Sequence, residues 1–214
     1  MALLRGKLET EWSSLITRNS ASAIDFWGTS LVMIVVTWLF IPLKIQSGHK
    51  QPTRKDTVDC FIVSIRNQGI AYILLGVWTA MIHPLTPFPS AYRIEPDTPT
   101  KGGFLRGVVG SLLLREVVAY YIHRLLYHPL LYARIHSQHH RFTAPVALAA
   151  HYAHPIEHVL QNLAPIAVYC QLLRCHILTF WFAMSMEITS GLLRHNGYVW
   201  GGEIRIHDLP RCTI

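Results

Sequence analysis

Long apolar stretches alternate with short polar segments along this chain. Two uncharged stretches, Phe26 to Leu43 and Gly69 to Leu85, each hold about the 18 residues that a helix needs to cross ~30 Å of hydrocarbon. The segment between them, residues 44–67, is polar and basic, so we predict a connection there. Residues 86–103 are rich in proline and predict a loop. The first half of the chain therefore predicts two membrane-spanning helices.

The second half is also apolar, but charged groups interrupt it. Residues 104–127 have a helical pattern that includes three arginines and Glu116. Charges inside a bilayer are costly, so we expect this helix to pack within the protein and to emerge at the surface at its C-terminal end. The last apolar block, residues 159–193, is too long for one crossing and is interrupted at residues 171–176. A helical hairpin with its turn near Arg174 is predicted.

These elements define a fold class. We expect an all-α integral membrane protein, a helical bundle with four to five membrane-embedded helices and a histidine-rich helical cap. Residues 1–103 are predicted to form an N-terminal segment with the two candidate spans. Residues 104–214 are predicted to form a second domain, which contains most of the histidines.

Composition supports a bilayer environment. Hydrophobic residues make up 51% of the chain and charged residues 14%, compared with roughly 25% charged in a soluble domain. The net charge of +7 comes from basic residues at the ends of apolar stretches, which suits anionic headgroups and argues against nucleic acid. The positive-inside rule would place both residues 44–67 and the histidine region in the cytosol only if the helix at 104–127 crosses the membrane. Both topologies stay open.

Histidines carry the candidate chemistry. Eight of the 13 histidines fall between His123 and His158. His136, His139 and His140 have the spacing of neighbours on one helix face. Imidazole suits Fe, Zn, Cu or Ni, so three such rings on one face favour a metal site. Pro129 disfavours helix at His128, which lets His128 converge with His123 beyond the end of a helix.

Other polar residues near this group allow more than one interpretation. His151, His154 and His158 are expected to orient a ligand, to line a substrate pocket or to bind metal directly. Glu116 lies two turns before His123 and either positions a ligand or pairs with a nearby arginine. Three further histidines, which stand apart from these motifs, are interpreted as ordinary polar or core residues: His49, His83 and His176.

The combined motifs resemble a known family. Residues 116–129, 131–145 and 152–158, with His195-Asn-Gly197-Tyr198, closely resemble the fatty acid hydroxylase and sterol desaturase superfamily, nearest to its sterol C4-methyl oxidase branch. The resemblance implies a multi-pass membrane oxygenase of the endoplasmic reticulum that holds two irons and activates O₂. It also implies a membrane lipid or sterol substrate, and electrons from NAD(P)H through a b-type cytochrome or a reductase.

The resemblance also implies a ligand set, with no catalytic residue beyond the ligands themselves. Carried over by position, the metal ligands are His123, His128, His136, His139, His140, His195 and His207. The last box of the family is a His-Asp-x-His-His element. It begins here at His207, but Pro210 and Arg211 stand in place of its two final histidines, and Val199 stands where the family often has His or Asp. We therefore expect a truncated metal site that binds its second ion weakly.

Three functions fit these residues. The first is hydroxylation or oxidation of a sterol or fatty acyl lipid by a di-iron site. The second is a catalytically impaired, truncated family member that keeps the fold and partial metal binding, so whether this chain is an enzyme stays open. The third, a metal transporter, is disfavoured because the two predicted spans lack polar ligands. Metal content per chain separates the first two.

Overall fold

The computed structural model describes residues 2–39, 52–87, 90–141 and 146–195. Within these ranges the chain is mostly helical, and an isolated bridge between Arg93 and His176 is the only strand-like pairing. The predicted all-α class is therefore confirmed. Seven helices form in the described residues: α1 Ala2–Arg18, α2 Ala21–Leu39, α3 Arg54–Ile82, α4 Lys101–Leu126, α5 residues 129–140, α6 residues 155–172 and α7 Ile177–His195.

Two of these helices, α2 and α3, are long and apolar enough to cross a membrane. The first predicted span begins earlier than expected, at Ala21, and its last residues, 40–43, lie outside the described part of the chain. The second predicted span lies within the C-terminal part of α3 and the short turn that follows it. Because α2 and α3 alone pass this test among the described helices, the expectation of four to five membrane-embedded helices stays a prediction.

The predicted connection at residues 44–67 is wrong from Arg54 onward, where α3 begins. Thr53 caps the helix: its hydroxyl accepts from the Asp56 amide at 3.1 Å, and the Asp56 carboxylate accepts from the Thr53 amide at 2.9 Å. The polar side chains at residues 54–59 are exposed on the surface of the helix, whereas Ser64 further along is buried. Ser64 donates to the Leu148 carbonyl at 3.2 Å, so a distant backbone segment replaces water as its partner.

Helix α4 packs against α6 and α7 along one face and leaves the other face exposed. The exposed side chains include Leu105, Leu113 and Val117. Arg115, on the packed side, forms a 2.8 Å ion pair with Glu187 of α7, which satisfies a charge within the helix bundle. The predicted packing of this helix within the protein therefore holds for one face.

The predicted hairpin is confirmed. Helix α6 ends at Leu172, the chain turns through Arg174 in a left-handed conformation with φ of 46°, and α7 begins at Ile177. Helix α7 is central: it contacts α2, α4, α6 and a short 3-10 helix, Ala147–His151, before it ends at His195.

Glycine allows the closest approach between helices. A Cβ atom on Gly28 would overlap the indole of Trp181, and the Trp181 Nε1–H donates to the Thr29 hydroxyl at 3.0 Å. Helix α2 is thereby fixed against α7, the helix that carries His195.

Candidate metal centre

Three helix ends bring the predicted ligands together. His123 lies on the last turn of α4, His195 is the last residue of α7, and α5 carries His136, His139 and His140. Helix α5 starts with Pro129 at its first position, where proline is well suited, directly after His128. A π-helical turn then leads into its last residues, 137–140. The predicted break between His128 and the following helix is thus observed.

Five predicted ligands form one connected group of rings, which we call the histidine cluster: His123, His136, His139, His140 and His195. His136 is at its centre and is fully buried, with ring centroids 4.7 Å from His123 and 4.5 Å from His140. The ring of His139 lies 6.1 Å from that of His136 and 5.3 Å from that of His195. The expected sharing of one helix face by the three α5 histidines is therefore seen in their contacts.

One contact inside the histidine cluster joins two ring nitrogens. Nε2 of His136 and Nε2 of His140 are 2.9 Å apart. Nδ1 of His136 lies 2.7 Å from a Glu157 carboxylate oxygen, which accepts its hydrogen and leaves a lone pair on Nε2. Without metal, the His140 Nε2–H donates to that lone pair. Nitrogen ligands bind ions such as Zn at about 2.0–2.1 Å, so two ligands at right angles on one ion are about 3 Å apart.

Two other rings of the cluster are held at Nδ1 in a similar way. Nδ1 of His139 donates to the Tyr152 carbonyl at 3.1 Å, and Nδ1 of His195 donates to the Gly191 carbonyl at 2.8 Å. Since a carbonyl only accepts, each Nδ1 carries the hydrogen and each Nε2 carries a lone pair. The backbone thus selects the tautomer in which Nε2 is the metal-binding atom.

Among the residues that the structure describes, no group of three or more His, Cys, Asp or Glu side chains is arranged to hold a metal ion. The histidine cluster is therefore a set of paired contacts rather than a formed cage. Its donor chemistry still fits an ion of the Fe or Zn type, because imidazole is their common ligand and because one lone pair, on His136 Nε2, points at a second imidazole nitrogen.

One predicted ligand among the described residues is not part of the cluster. His128 is exposed at the start of α5, and none of the ring contacts above involves it. His207 lies outside the described residues, as do Val199, Pro210 and Arg211. The expectation of an incomplete last box thus stays a prediction from the sequence.

Glu116 pairs with Arg115 rather than with a ring of the cluster. Its side chain is 61% exposed, and it also lies 3.9 Å from Arg194. Of the two roles that the sequence left open, the contacts favour the arginine partner.

Two residues near the cluster were missed by sequence reasoning. Glu157 contacts His136, and the Tyr127 hydroxyl lies 3.2 Å from Nε2 of His140. Tyr127 follows His123 by one helical turn, so its helix spacing is a signal that was available. Glu157 offered no such signal, because its partner is 21 residues away.

The three remaining histidines of this region have different environments. Nδ1 of His154 accepts from the Ile156 amide at 3.3 Å and caps α6. His151 and His158 form what we call the buried pair, with ring centroids 5.5 Å apart. Asn162 is 3.1 Å from Nδ1 of His158, whereas Nε2 of His158 and both nitrogens of His151 have no hydrogen-bond partner among the described residues.

Burial governs the protonation of this pair. It lowers the pKa of His151 to about 4. It also lowers the pKa of His158 to about 3, with smaller contributions from the nearby charges of His151 and Arg66. Both rings are therefore neutral at physiological pH.

Comparison with known proteins assigns the family. Residues 108–212 match the family model described as fatty acid hydroxylase. The methylsterol monooxygenase 1 of Rattus norvegicus is 32% identical over 204 residues, a match that covers 91% of this chain and 69% of that protein. The chain belongs to the fatty acid hydroxylase family, within the fatty acid hydroxylase and sterol desaturase superfamily, as its motifs predicted.

Other relatives extend the comparison. The fatty acid hydroxylase domain-containing protein 2 of Homo sapiens is 34% identical over 180 residues, covering 81% of this chain and 53% of that protein. The very-long-chain aldehyde decarbonylase GL1-10 of Oryza sativa subsp. japonica is 27% identical over 210 residues, a match that covers 90% of this chain and 68% of that protein. The chain spans about half the length of the human relative. No solved structure matches it.

Proposed function

We propose that the chain is a membrane-bound lipid hydroxylase or oxidase that works with iron held by its histidines. The substrate is a membrane sterol or a fatty acyl lipid. Electrons come from NAD(P)H through a b-type cytochrome or a reductase, and the site is in the endoplasmic reticulum membrane. The family assignment, the two helices suited to cross a bilayer and the resemblance of the histidine motifs support this proposal.

The observation that carries the proposal is the facing pair of nitrogens on His136 and His140. They are 2.9 Å apart in a partly buried position. A carboxylate holds His136 at Nδ1, and backbone carbonyls hold His139 and His195 in the same way. Because His136, His139 and His195 each donate a hydrogen at Nδ1, the lone pair of each ring is on Nε2, the atom that would bind a metal ion. A metal ion satisfies such nitrogens together.

The chain's own residues have distinct tasks in this proposal. The histidine cluster would hold iron, with His128 and His207 as the further ligands that the motifs predict. Iron, when bound, supplies the activation of O₂ that an unactivated C–H bond requires. Glu157 and the carbonyls of Tyr152 and Gly191 orient the rings, and the burial of His136 keeps water from the centre of the cluster.

The relatives set the range of substrates. One is named as a methylsterol monooxygenase and another as a very-long-chain aldehyde decarbonylase. Both names refer to apolar lipids, so we propose a substrate that reaches the site from the bilayer rather than from water. The sterol and the acyl chain remain the two candidates within that class.

Iron content of the detergent-purified chain tests the proposal. We expect iron to bind to the chain, and the double variant His136→Gln/His140→Gln to lose most of it. His154→Asn is the matched control, because asparagine keeps the helix cap and removes an imidazole outside the cluster. Equal iron content in the chain and in the double variant would contradict the proposal.

A second candidate function is the impaired family member. It is favoured by the replacement of two motif histidines by Pro210 and Arg211. About two irons per chain supports the enzyme, whereas one or none supports this alternative. The variant Pro210→His/Arg211→His is expected to raise iron content, and an unchanged content would show that His207 is not a ligand.

A further inference from the structure

Glu157 contacts the central ring of the histidine cluster through a buried hydrogen bond. Its Oε1 atom lies 2.7 Å from Nδ1 of His136, and both side chains are almost completely excluded from solvent. The two residues are 21 positions apart and lie on different helices, α5 and α6. The contact is therefore produced by the tertiary fold and not by helix periodicity.

This anchor differs chemically from the others in the cluster. His139 and His195 donate to neutral backbone carbonyls, whereas His136 donates to a carboxylate. A hydrogen bond to an ionised acceptor is shorter and about twice as strong as a neutral one. It also draws the Nδ1 hydrogen away from the ring and so makes Nε2 a stronger electron donor.

The position of Glu157 in α6 suits a negative charge. It lies in the first helical turn, two residues after Pro155, where unpaired backbone amides and the helix dipole favour an anion. Its second oxygen, Oε2, is buried and has no hydrogen-bond partner among the described residues. A buried carboxylate with one unused oxygen is expensive for stability, which indicates that the residue is retained for another reason.

We propose that Glu157 is a positioning residue for the metal centre: it fixes His136 in the tautomer that presents Nε2 to the ion and strengthens that nitrogen as a ligand. This inference rests on the proposed metal-binding function. Glu157 is not itself a ligand. It takes the ligand-positioning role that the sequence had suggested for Glu116, and it lies on another helix.

The test compares metal affinity in two matched variants of the full chain. Glu157→Gln keeps the shape of the side chain and removes its charge. We expect it to weaken binding of Fe(II), measured in competition with a chelator, by about 10- to 100-fold. Glu187→Gln is the control, because Glu187 is also a buried carboxylate but pairs with Arg115 instead of a histidine. It should leave the affinity within about twofold.

A second readout examines the tautomer without metal. In nitrogen NMR of the metal-free chain, with His136→Gln used to assign the signal, His136 should carry its hydrogen on Nδ1. Glu157→Gln should shift population toward the Nε2–H form, because the glutamine amide can donate to Nδ1. A merely structural role of Glu157 would leave this signal where it is.

The outcomes separate the inference from the proposed function. If Fe(II) affinity and the His136 tautomer are the same in Glu157→Gln and in the parent chain, the positioning role is wrong while the metal site stands. If Glu157→Gln and Glu187→Gln lose affinity equally, the effect is one of general stability and the inference is likewise overturned. If the parent chain binds no Fe(II), both the proposed function and the inference fail.

Discussion

The histidine cluster and the buried pair contain the same kind of side chain in opposite circumstances. In the cluster, His136, His139 and His195 are each held at Nδ1 by an acceptor. In the buried pair, His151 has no hydrogen-bond partner at either nitrogen among the described residues, and Nδ1 of His158 faces the side-chain nitrogen of Asn162, which is a donor and not an acceptor. The difference teaches that histidine count alone does not define a metal site. An acceptor at Nδ1 fixes the tautomer in which Nε2 carries the lone pair, as metal binding would require. Burial alone only keeps a ring neutral.

The largest expected effect separates these two regions by metal affinity. His140→Ala removes one of the two facing nitrogens and should weaken Fe(II) binding by roughly 100-fold or more. His151→Ala removes a ring of the buried pair and should change affinity by less than about threefold. Chelator competition on the purified variants measures both. Equal losses would mean that the buried pair belongs to the metal site after all.

Acid should destabilise the protein through the buried pair. Burial lowers the folded-state pKa of His151 to about 4 and that of His158 to about 3, so the unfolded chain, with pKa near 6.5, binds more protons as pH falls. The stability that the two neutral rings contribute is fully present above about pH 6.5 and is lost progressively below it. Between pH 7 and pH 5 each residue should cost about 2 kcal/mol.

Thermal unfolding in detergent at pH 7 and pH 5 measures this loss. The variant His151→Leu removes one titrating group and should reduce the difference in melting temperature between the two pH values by about half. An unchanged difference in melting temperature would show that acid destabilises the protein by protonating groups other than His151. That result would contradict the prediction that the buried pair is held neutral by burial.

Asn67 connects the two regions through the backbone that carries His151. Its amide, fully buried, donates to the carbonyls of His151 and Ala153 at 2.8 and 2.9 Å, on either side of the Tyr152 carbonyl that anchors His139. Asn67→Ala leaves these two carbonyls without this donor and should cost about 2–3 kcal/mol of stability, with a few-fold loss of metal affinity.

The neighbouring Gln68 provides the control for that variant. Its amide nitrogen is buried without a partner among the described residues. Gln68→Leu should therefore be neutral or slightly stabilising in thermal unfolding. If both variants destabilise the protein equally, the hydrogen bonds of Asn67 are not what holds this segment.

The smallest effect is expected at Glu116. This carboxylate is largely exposed and pairs with Arg115, so Glu116→Gln should cost less than about 1 kcal/mol and leave Fe(II) affinity within about twofold. Affinity measurements alongside Glu157→Gln give a direct comparison. A large loss in Glu116→Gln would return the orienting role to the residue that the sequence first suggested.

Local patterns predicted much of the fold. The break at residues 171–176 correctly indicated the hairpin. The failure at Arg54 has a local cause too: Thr53 and Asp56 have capping-box spacing, but the polar composition that follows them outweighed it. Composition misled because Ser64 and Asn67 are satisfied by backbone carbonyls about 84 residues away, a partner that no periodicity reveals.

The sequence predicted the clustered histidines but not the residue that positions the central one. The family resemblance named five residues whose rings lie together, because three of them share one short helix and two occupy helix ends. It could not name Glu157, whose role depends on how α5 and α6 meet. It also grouped His128 with His123, although His128 is exposed at the start of α5.

Gly28 lies where a Cβ atom would overlap the indole of Trp181. The distance between α2, a candidate membrane span, and α7 thus depends on the absence of a side chain at position 28. A lineage that acquires a larger residue at position 28 must also give up the indole at position 181 or slide one helix along the other. Positions 28 and 181 should therefore change together among relatives if the end of α7 is to keep its position.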